Sequence, residues 1–313
     1  LVRVSDKEET VEMSNREKYF GIVPPLMTPL LDHDRLDRVS YRKMVDNVID
    51  AGVHGIFPMA SSGESVHNAY HVWKEANQLA VEAADERVPV YCGAIAPSTA
   101  QVIENMRYLE SIGAKAAVAT PPFYTSNLLQ SEIIRHFEAI LERTNINLCI
   151  YNMPGLTGGI DIAPATIAAL AGHERVVMYK DSCPNLDHHL RTLKMLEDKD
   201  ISVLCGGEEL CCTSMLFGSQ GNISGLAVSF PRLFVEAYNA AMAGDLKRTV
   251  ELQYKILELK NINHAGPSDF SMMKYALVSV GIGTETNCYH TEPATSAQKA
   301  EVDRIAEKFK EYQ

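Results

Sequence analysis

Three features of the sequence predict an α/β fold, a (β/α)8 TIM barrel with a C-terminal helical extension. From Tyr19 onward, short apolar segments alternate with segments of helical periodicity in eight repeats. The apolar segments are short and continuous, as in a buried parallel sheet, and eight units favour a closed barrel over an open doubly wound sheet. From about Pro231 the pattern is entirely helical. We therefore expect a barrel over residues 19–243 and a helical appendage over residues 244–313.

Residues 1–18 precede the first repeat. They are polar, carry charges of both signs and show no periodic apolar face. They also lack the pattern of a signal peptide. We interpret them as a disordered leader.

The predicted strands are short apolar runs, each ending in glycine, proline or polar residues. In chain order they span residues 21–28, 55–59, 89–93, 116–119, 147–151, 176–182, 202–205 and 222–224. Helical periodicity follows each of the first seven, over residues 40–51, 70–84, 99–112, 131–143, 164–171, 186–197 and 210–217. Ser40 is expected to cap the first helix. Helices at 231–243, 246–263, 268–280 and 297–311 complete the chain, the first of them finishing the barrel.

Composition narrows the class of partner. The net charge is −11 and the pI is about 5.4, which argues against nucleic acid and anionic membrane surfaces. No apolar run is long enough for a transmembrane helix. The seven cysteines are odd in number and show no Cys-x-x-Cys spacing, which favours reduced thiols in a cytoplasmic protein.

Lys180 lies at the end of the most apolar predicted strand. Lysine is rarely buried without a reason, and a neutral amine is a nucleophile toward carbonyl carbon. An amine that attacks a ketone forms an imine, which can accept the electrons of a carbanion on the neighbouring carbon. The alternative is a lysine that reaches solvent at the strand end or pairs with Asp181.

Other strand ends carry groups that such a reaction needs, because the chemistry of a barrel sits at these ends. Tyr151 ends the fifth strand and can move the proton that imine formation requires. Ser61 and Ser62 follow the second strand in a glycine-containing turn and offer hydroxyl and backbone N–H groups to a carboxylate. Together with Lys180, these residues predict a site for a 2-keto acid.

Three motifs resemble those of the dihydrodipicolinate synthase / N-acetylneuraminate lyase family of class I Schiff-base aldolases. Residues 60–64, Ala-Ser-Ser-Gly-Glu, resemble the family's carboxylate-binding loop. Residues 151–154, Tyr-Asn-Met-Pro, resemble its Tyr-Asn-x-Pro segment, and residues 180–182, Lys-Asp-Ser, its Lys-Asp/Glu-Ser/Thr segment. In this order and spacing the motifs are specific, and the resemblance covers the chain from about Phe20 to the C-terminal helices.

The resemblance implies roles for these residues. Lys180 would form the imine, and Tyr151 would be the proton shuttle, linked by its hydroxyl to Ser61. Ser62 would bind the substrate carboxylate, and the carbonyl of Ile223 would face the substrate. No cofactor beyond the lysine imine and no metal is implied.

Tyr124 matches a tyrosine that, in the family, reaches into a neighbouring subunit and completes the proton relay. The resemblance thus implies a homotetramer built as a dimer of dimers. Packing at the barrel rim is the alternative for Tyr124.

Departures from the family pattern bear on the substrate. The dihydrodipicolinate synthases carry an arginine that grips the carboxylate of aspartate semialdehyde, where this chain has Leu156, which cannot do so. Glu208 and Glu209 follow Gly206 at positions where the neuraminate lyases bind sugar hydroxyls. Gly225 replaces a serine expected in a neuraminate lyase. The segment around Gly206 is most similar to 2-keto-3-deoxygluconate-type aldolases.

The leading hypothesis is a lyase that cleaves a 2-keto-3-deoxy sugar acid to pyruvate and an aldehyde through an imine on Lys180. The alternatives are a 4-hydroxy-tetrahydrodipicolinate synthase, which condenses pyruvate with aspartate semialdehyde, and a dehydratase of keto-deoxy sugar acids. A non-catalytic keto-acid-binding protein is a further alternative.

Simpler roles remain open for several residues. Ser61 and Ser62 can cap a helix, and Glu208 and Glu209 can complement a helix dipole. The sequence also has two pairs of nearby histidines, one at positions 188 and 189 and one at positions 67 and 71. Neither pair has the motif of a shared metal site.

Overall fold

The computed structural model describes residues 13–313. Residues 1–12 of the predicted leader lie outside the described residues. Asn15–Lys18 forms a helical turn, α1, although the sequence predicted disorder to residue 18. The backbone N–H of Asn15 donates to Asp200 Oδ1 at 2.7 Å, and Arg16 Nη2 donates to the carbonyl of Leu196 at 2.6 Å. The turn buries none of its side chains and is held by hydrogen bonds, so its sequence shows no apolar pattern that would predict a helix.

The strands are short, and seven of them form one sheet. In chain order they are β1 Gly21–Ile22, β2 Leu30–Asp32, β3 Arg35–Leu36, β4 Tyr91–Gly93, β5 Ala116–Ala119, β6 Leu148–Asn152, β7 Val176–Asp181, β8 Ser202–Cys205 and β9 Gly221–Asn222. The order in the sheet is β1-β9-β8-β7-β6-β5-β4, and every pairing in it is parallel.

Residues 56 and 57 close this sheet into a ring. Ile56 pairs with Val90 beside β4, and Phe57 pairs with Pro25 just after β1, both in parallel. The N–H of Leu26 donates to the Phe57 carbonyl at 2.9 Å. The predicted (β/α)8 barrel is therefore confirmed, with residues 56–57 in the place of the second predicted strand.

The first two predicted strands are less regular than expected. Only Gly21–Ile22 of residues 21–28 forms a strand, and residues 55–59 contribute isolated bridges. Pro24, Pro25 and Pro58 explain this, because proline has no N–H to donate to a ladder. The antiparallel pair β2–β3 was not predicted, since strands of three and two residues are too short to show a periodic pattern.

Helices follow the strands around the ring. They are α2 Arg38–Asp50, α3 Tyr70–Ala84, α4 Thr99–Ser111, α5 Gln130–Leu141, α6 Pro164–Leu170, α7 Leu186–Met195, α8 Cys211–Leu216, α9 Pro231–Met242, α10 Leu246–Leu259, α11 Asp269–Ser279 and α12 Ser296–Lys308. Helix α2 starts two residues before the predicted position, and its cap is Asp37, whose Oδ1 accepts the N–H of Ser40 at 3.1 Å. Ser40 is thus inside the helix. The predicted boundary between barrel and appendage at residue 243 stays a prediction.

Alternate strand residues pack into two separate apolar clusters. The larger lies between the strands and the surrounding helices. The smaller includes Phe57, Tyr91, Cys149, Tyr151 and Leu204 and fills the inside of the ring. Tyr179 of β7 belongs to the larger cluster, outside the ring. Because side chains on a strand alternate in direction, the next residue, Lys180, points to the inside of the ring.

The seven cysteines are all free thiols, as predicted, and all are buried except Cys183, which is half-buried. No helix among residues 13–313 has the length and apolar character needed to cross a membrane.

Candidate active site

Lys180 is buried at the carboxyl end of β7, with 4% of its surface exposed. Its Nζ lies 4.0 Å from the centroid of the Tyr151 ring and 5.2 Å from that of Phe57. The register of the sheet sets this proximity, because Lys180 and Tyr151 are paired neighbours on β7 and β6. The amine therefore does not reach solvent.

Asp181 does not pair with Lys180. The Asp181 carboxylate accepts from His189 Nδ1 at 3.0 Å and from the backbone N–H of Cys183 at 3.0 Å, on the outer side of the strand. Within residues 13–313, Lys180 has no carboxylate partner, whereas the other fully buried lysine, Lys274, pairs with Glu64. Both simpler interpretations of Lys180 are thus excluded by the structure.

Gly206 leaves room for the lysine side chain. A Cβ at position 206 would lie 3.0 Å from Lys180 Cε and 1.8 Å from Ser182 Oγ. The N–H of Gly206 donates to the carbonyl of Asp181 at 2.7 Å, which fixes this close approach. A side chain at position 206 would therefore displace Ser182 and crowd Lys180.

The hydroxyl of Tyr151 contacts Ser182, whose Oγ donates to it at 3.5 Å. Among the described residues, no hydrogen bond joins Tyr151 to Ser61, which the resemblance had implied. Ser182 was quoted in the Lys-Asp-Ser motif but was not assigned a role. Its place two residues after Lys180, where the side chain points to the same face, is the signal that could have identified it.

Ser61 and Ser62 lie in a tight turn beside the end of β1. The N–H of Gly63 donates to the Ala60 carbonyl at 3.0 Å, and Ser62 Oγ donates to the Pro25 carbonyl at 3.2 Å. A Cβ on Gly63 would lie 2.6 Å from the Leu26 carbonyl, so the turn packs directly on the first strand segment. Helix α3 begins only at Tyr70, so neither serine caps it.

Glu64 ties this turn to the C-terminal helices. Its carboxylate is fully buried, pairs with Lys274 of α11 and accepts the backbone N–H of Cys288 at 3.0 Å. Its φ of 53° is in the left-handed region that a non-glycine residue adopts only under constraint. Glu64 is thus a structural residue of the turn.

A cavity of about 760 Å³ opens in front of Lys180. Nine of the ten residues predicted for the site line it: Lys180, Tyr151, Ser61, Ser62, Ile223, Glu208, Glu209, Leu156 and Gly206. Residues that follow the barrel also line the cavity and were not predicted: Lys260, Asn263, Pro267, Ser268, Asp269, Phe270, Met273, His290, Thr291 and Glu292. They belong to the 3-10 helix after α10, to α11 and to the loops around α11, and nothing in their local sequence indicates that they cover the cavity.

Tyr124 is the predicted site residue that the cavity does not include. Its side chain is 100% exposed and its φ is 59°. The exposure excludes packing at the rim within this chain. Its predicted role toward a second subunit stays a prediction.

Two glutamates of the cavity lining follow β8. Glu208 is buried, and burial raises the pKa of its carboxyl. Its Oε1 accepts the N–H of Leu226 at 3.4 Å. Burial also acts to raise the pKa of Glu209. The hydrogen bond with Lys260, at 2.6 Å, a backbone hydrogen bond and the charges of Lys260 and His264 together outweigh burial, and the pKa is lowered.

Several cavity residues can accept hydrogen bonds from the hydroxyl groups of a substrate. Glu208, Glu209, Asp269 and Glu292 are acidic, while the cations of the lining are Lys180 and Lys260. Lys260 is already neutralised by Glu209. Among residues 13–313, the cavity lining contains no arginine, so a second substrate carboxylate would find no guanidinium there, and Lys260 is already paired.

Comparison with known proteins agrees with this geometry. A family model described as the dihydrodipicolinate synthetase family matches residues 18–311. The 4-hydroxy-tetrahydrodipicolinate synthase of Acidiphilium cryptum is 31% identical over 284 residues, covering 91% of this chain and 96% of that protein. The probable 2-dehydro-3-deoxy-D-pentonate aldolase YjhH of Escherichia coli is 30% identical over 294 residues, covering 92% and 96%.

Solved structures show the same likeness. Dihydrodipicolinate synthase of Bacteroides thetaiotaomicron superposes with a TM-score of 0.88 at 30% identity, covering 92% of this chain and 98% of that one. YagE, an Escherichia coli prophage protein of the dihydrodipicolinic acid synthase family, in complex with pyruvate, has a TM-score of 0.88 at 25% identity and covers 93% and 99%. The relatives thus include both synthases and an aldolase.

Proposed function

The chain belongs to the dihydrodipicolinate synthetase family, a family of pyruvate-dependent class I aldolases and synthases, and within it we propose a lyase that cleaves a 2-keto-3-deoxy sugar acid to pyruvate and an aldehyde. The observation that carries the choice of substrate is the chemistry of the cavity lining. The lining is rich in acidic residues and includes Leu156, and Lys260, its lysine besides Lys180, is paired with Glu209.

The first step is attack of Lys180 Nζ on the C2 carbonyl of the substrate. The carbinolamine that results loses its oxygen as water, and Tyr151 supplies the proton for that loss. Support comes from the 4.0 Å between Nζ and the Tyr151 ring and from the absence of a carboxylate partner for Lys180 within the described residues. The product is an imine between the lysine and C2.

Cleavage follows from this imine. Tyr151 removes the proton of the C4 hydroxyl, the C3–C4 bond breaks, and its electrons pass into the imine as an enamine while the aldehyde leaves. Protonation of the enamine at C3 and hydrolysis of the imine release pyruvate and restore the free amine. Ser182 supports the role of Tyr151, because its hydroxyl contacts that of the tyrosine at 3.5 Å.

Ser61 and Ser62 hold the substrate carboxylate in this proposal. Their turn presents hydroxyl and backbone N–H groups to the cavity, and Glu64 holds the turn in place from behind. Ile223 directs its carbonyl toward the bound substrate. Glu208 and Glu209 accept hydrogen bonds from the sugar hydroxyls at the other end.

A 4-hydroxy-tetrahydrodipicolinate synthase is the second candidate, because a relative of 31% identity carries that name. Its co-substrate, aspartate semialdehyde, has a carboxylate of its own. Leu156 is 54% exposed in the cavity and supplies no partner for that charge. This contrast disfavours the synthase.

Tyr124 supports an assembly. A fully exposed tyrosine held at a positive φ projects from the chain without an internal contact to explain it. We propose that it enters the site of a neighbouring subunit in a homotetramer, a dimer of dimers. The free thiols support a reducing compartment, the cytoplasm.

The test is pyruvate release from 2-keto-3-deoxygluconate and 2-keto-3-deoxygalactonate by the wild type and by Lys180→Ala. Release by the wild type alone would support the proposal and identify the substrate class. Condensation of pyruvate with aspartate semialdehyde, without release from either sugar acid, would overturn it in favour of the synthase.

A further inference from the structure

Three potential metal ligands meet outside the cavity, behind the strand that carries Lys180. Asp161 lies in the loop after β6, Cys183 follows β7, and His188 is in the first turn of α7. One ligand atom from each lies within 4.8 Å of the other two. His188 Nδ1 is 3.5 Å from Asp161 Oδ2, close to the separation of two donors on one tetrahedral ion. None of the three lines the cavity in front of Lys180.

The His188 ring is buried, and its Nε2 has no hydrogen bond. The exposed fraction of the residue is 8%; within residues 13–313 Nε2 has no hydrogen-bond partner, and Nδ1 lies 3.5 Å from the Asp161 carboxylate. Buried polar groups in proteins are almost always satisfied, so a buried imidazole with one unsatisfied nitrogen and the other directed at a carboxylate requires an explanation. His189 gives the contrast, because its two nitrogens contact Asp181 and Ser219 at 3.0 and 2.9 Å.

The surrounding residues orient the three ligands. Asn152 Nδ2 donates to Asp161 Oδ1 at 2.7 Å, which leaves Oδ2 directed toward His188. On the other side of the ring, His188 Nε2 is 4.0 Å from the buried Asp181 carboxylate. A metal-bound histidine typically directs its second N–H to a carboxylate, and Asp181 is the carboxylate on that side of the ring, although 4.0 Å exceeds a hydrogen bond. A ligating carboxylate is typically itself hydrogen-bonded, as Asp161 is by Asn152.

We propose that Asp161, Cys183 and His188 form a site for a divalent cation of the zinc type. The combination of one nitrogen, one sulfur and one oxygen suits Zn²⁺ or Co²⁺ better than Mg²⁺ or Ca²⁺, which take oxygen ligands. The side chain of Asp161 is 44% exposed, so the ion has a path of entry and a fourth position open to water. This site is separate from the imine chemistry, which uses no metal in the proposed reaction.

The charges around the three ligands suit a cation. Asp161 and Asp181 are both carboxylates, and both lie within 4.0 Å of a His188 ring nitrogen. A divalent cation held by Asp161, Cys183 and His188 would offset this negative charge.

The test is titration of the full chain with Zn²⁺ against a chromophoric chelator, and with Co²⁺ followed by absorption. We expect one equivalent of Zn²⁺ and a thiolate-to-cobalt charge-transfer band. We expect Cys183→Ser and His188→Gln to weaken binding at least about tenfold, and Cys183→Ser to remove the band. The Co²⁺ spectrum of the wild type reports thiolate ligation even if a variant does not fold.

His67→Gln is the matched control, because it makes the same substitution at a histidine outside the proposed site. His67 packs against His290, with ring centroids 4.3 Å apart. This variant is expected to bind zinc as the wild type does. Loss of binding in His67→Gln but not in His188→Gln would overturn the proposal, and so would a wild type without the cobalt band. Neither outcome depends on the substrate of the enzyme.

Discussion

Lys274 of α11 and Glu64 of the serine turn form an ion pair in which both side chains are fully buried. The lysine also donates to the Thr286 carbonyl at 2.8 Å, and the glutamate accepts the Cys288 N–H at 3.0 Å. The pair joins the serine turn of the barrel to the C-terminal helices. Both charges are hydrogen-bonded, as a buried ion pair requires.

Removing one member of this pair should destabilise the fold. Lys274→Met would leave Glu64 buried without its cation, and we expect the free energy of unfolding to fall by about 3–5 kcal/mol. Lys299→Met, which removes a half-exposed partner of Glu285, should cost about 1 kcal/mol or less. Denaturant titration measures both. Equal losses in the two variants would contradict a special role for the buried pair.

Gly206→Ala should impair catalysis more than folding. The new Cβ would lie 3.0 Å from Lys180 Cε and would displace Ser182, so the amine must move away from Tyr151. We expect kcat/KM to fall at least about tenfold, which corresponds to about 1.4 kcal/mol of transition-state stabilisation. Gly172→Ala is the control, since its Cβ would come no closer than 3.4 Å to another atom. An unchanged kcat/KM in Gly206→Ala would show that the amine tolerates the shift.

Leu156→Arg should move activity from sugar-acid cleavage toward condensation with aspartate semialdehyde. The guanidinium would supply the bidentate carboxylate partner that the cavity lining lacks. We expect measurable synthase activity in the variant and none in the wild type, with product analysis as the measurement. Equal synthase activity in both proteins would refute the argument from Leu156.

His136 should make the protein sensitive to mild acid. Burial lowers the pKa of this ring to about 4, while its hydrogen bond to the Thr120 carbonyl acts to raise it. The imidazole of the unfolded chain is protonated near pH 6.5, whereas that of the folded chain is protonated only near pH 4. The free energy of unfolding therefore has its full value above about pH 6.5 and decreases as the pH falls toward about 4. The full loss amounts to about 3 kcal/mol.

Unfolding free energies at several pH values check this prediction. The pH dependence should be smaller in His136→Gln than in the wild type over that window. His71→Gln, which changes an exposed histidine, should keep the dependence of the wild type. A His136→Gln protein with an unchanged pH profile would contradict the assignment.

Subunit mixing tests Tyr124. If the tyrosine serves a neighbouring site, Tyr124→Phe and Lys180→Ala should each be nearly inactive alone, yet mixed oligomers would contain some sites with both intact residues. We expect activity to return on mixing after reversible dissociation. Tyr289→Phe, which alters another exposed tyrosine, should retain activity. Mixed oligomers without recovered activity would exclude the exchange.

The sequence was sufficient for the barrel because its strands are buried on both faces and leave continuous apolar runs. It was not sufficient for α1, which is held by polar contacts to residues 196–201, or for the segments around Pro24 and Pro58, which lack ladder donors. Closure of the ring there depends on a few hydrogen bonds between distant residues. Local periodicity contains no information about such contacts.

In the candidate site, too, the residues at strand ends could be predicted from the sequence and those positioned by distant contacts could not. Lys180, Tyr151 and the serine turn were predictable because strand ends converge in a barrel. Phe270 and Met273 were not, because their place in the cavity depends on how α11 packs over the barrel. The contact of Ser182 with the Tyr151 hydroxyl likewise depends on side-chain geometry rather than on pattern.

The cavity has one wall made by strand ends and another made by residues 260–292. These two walls can vary independently in a mutational library. Saturation of Met273 and Phe270, with β7 left unchanged, would sample new aldehyde partners while every clone retained Lys180. The C-terminal helices are therefore the natural target for laboratory evolution of new carbon–carbon bond-forming specificities from this scaffold.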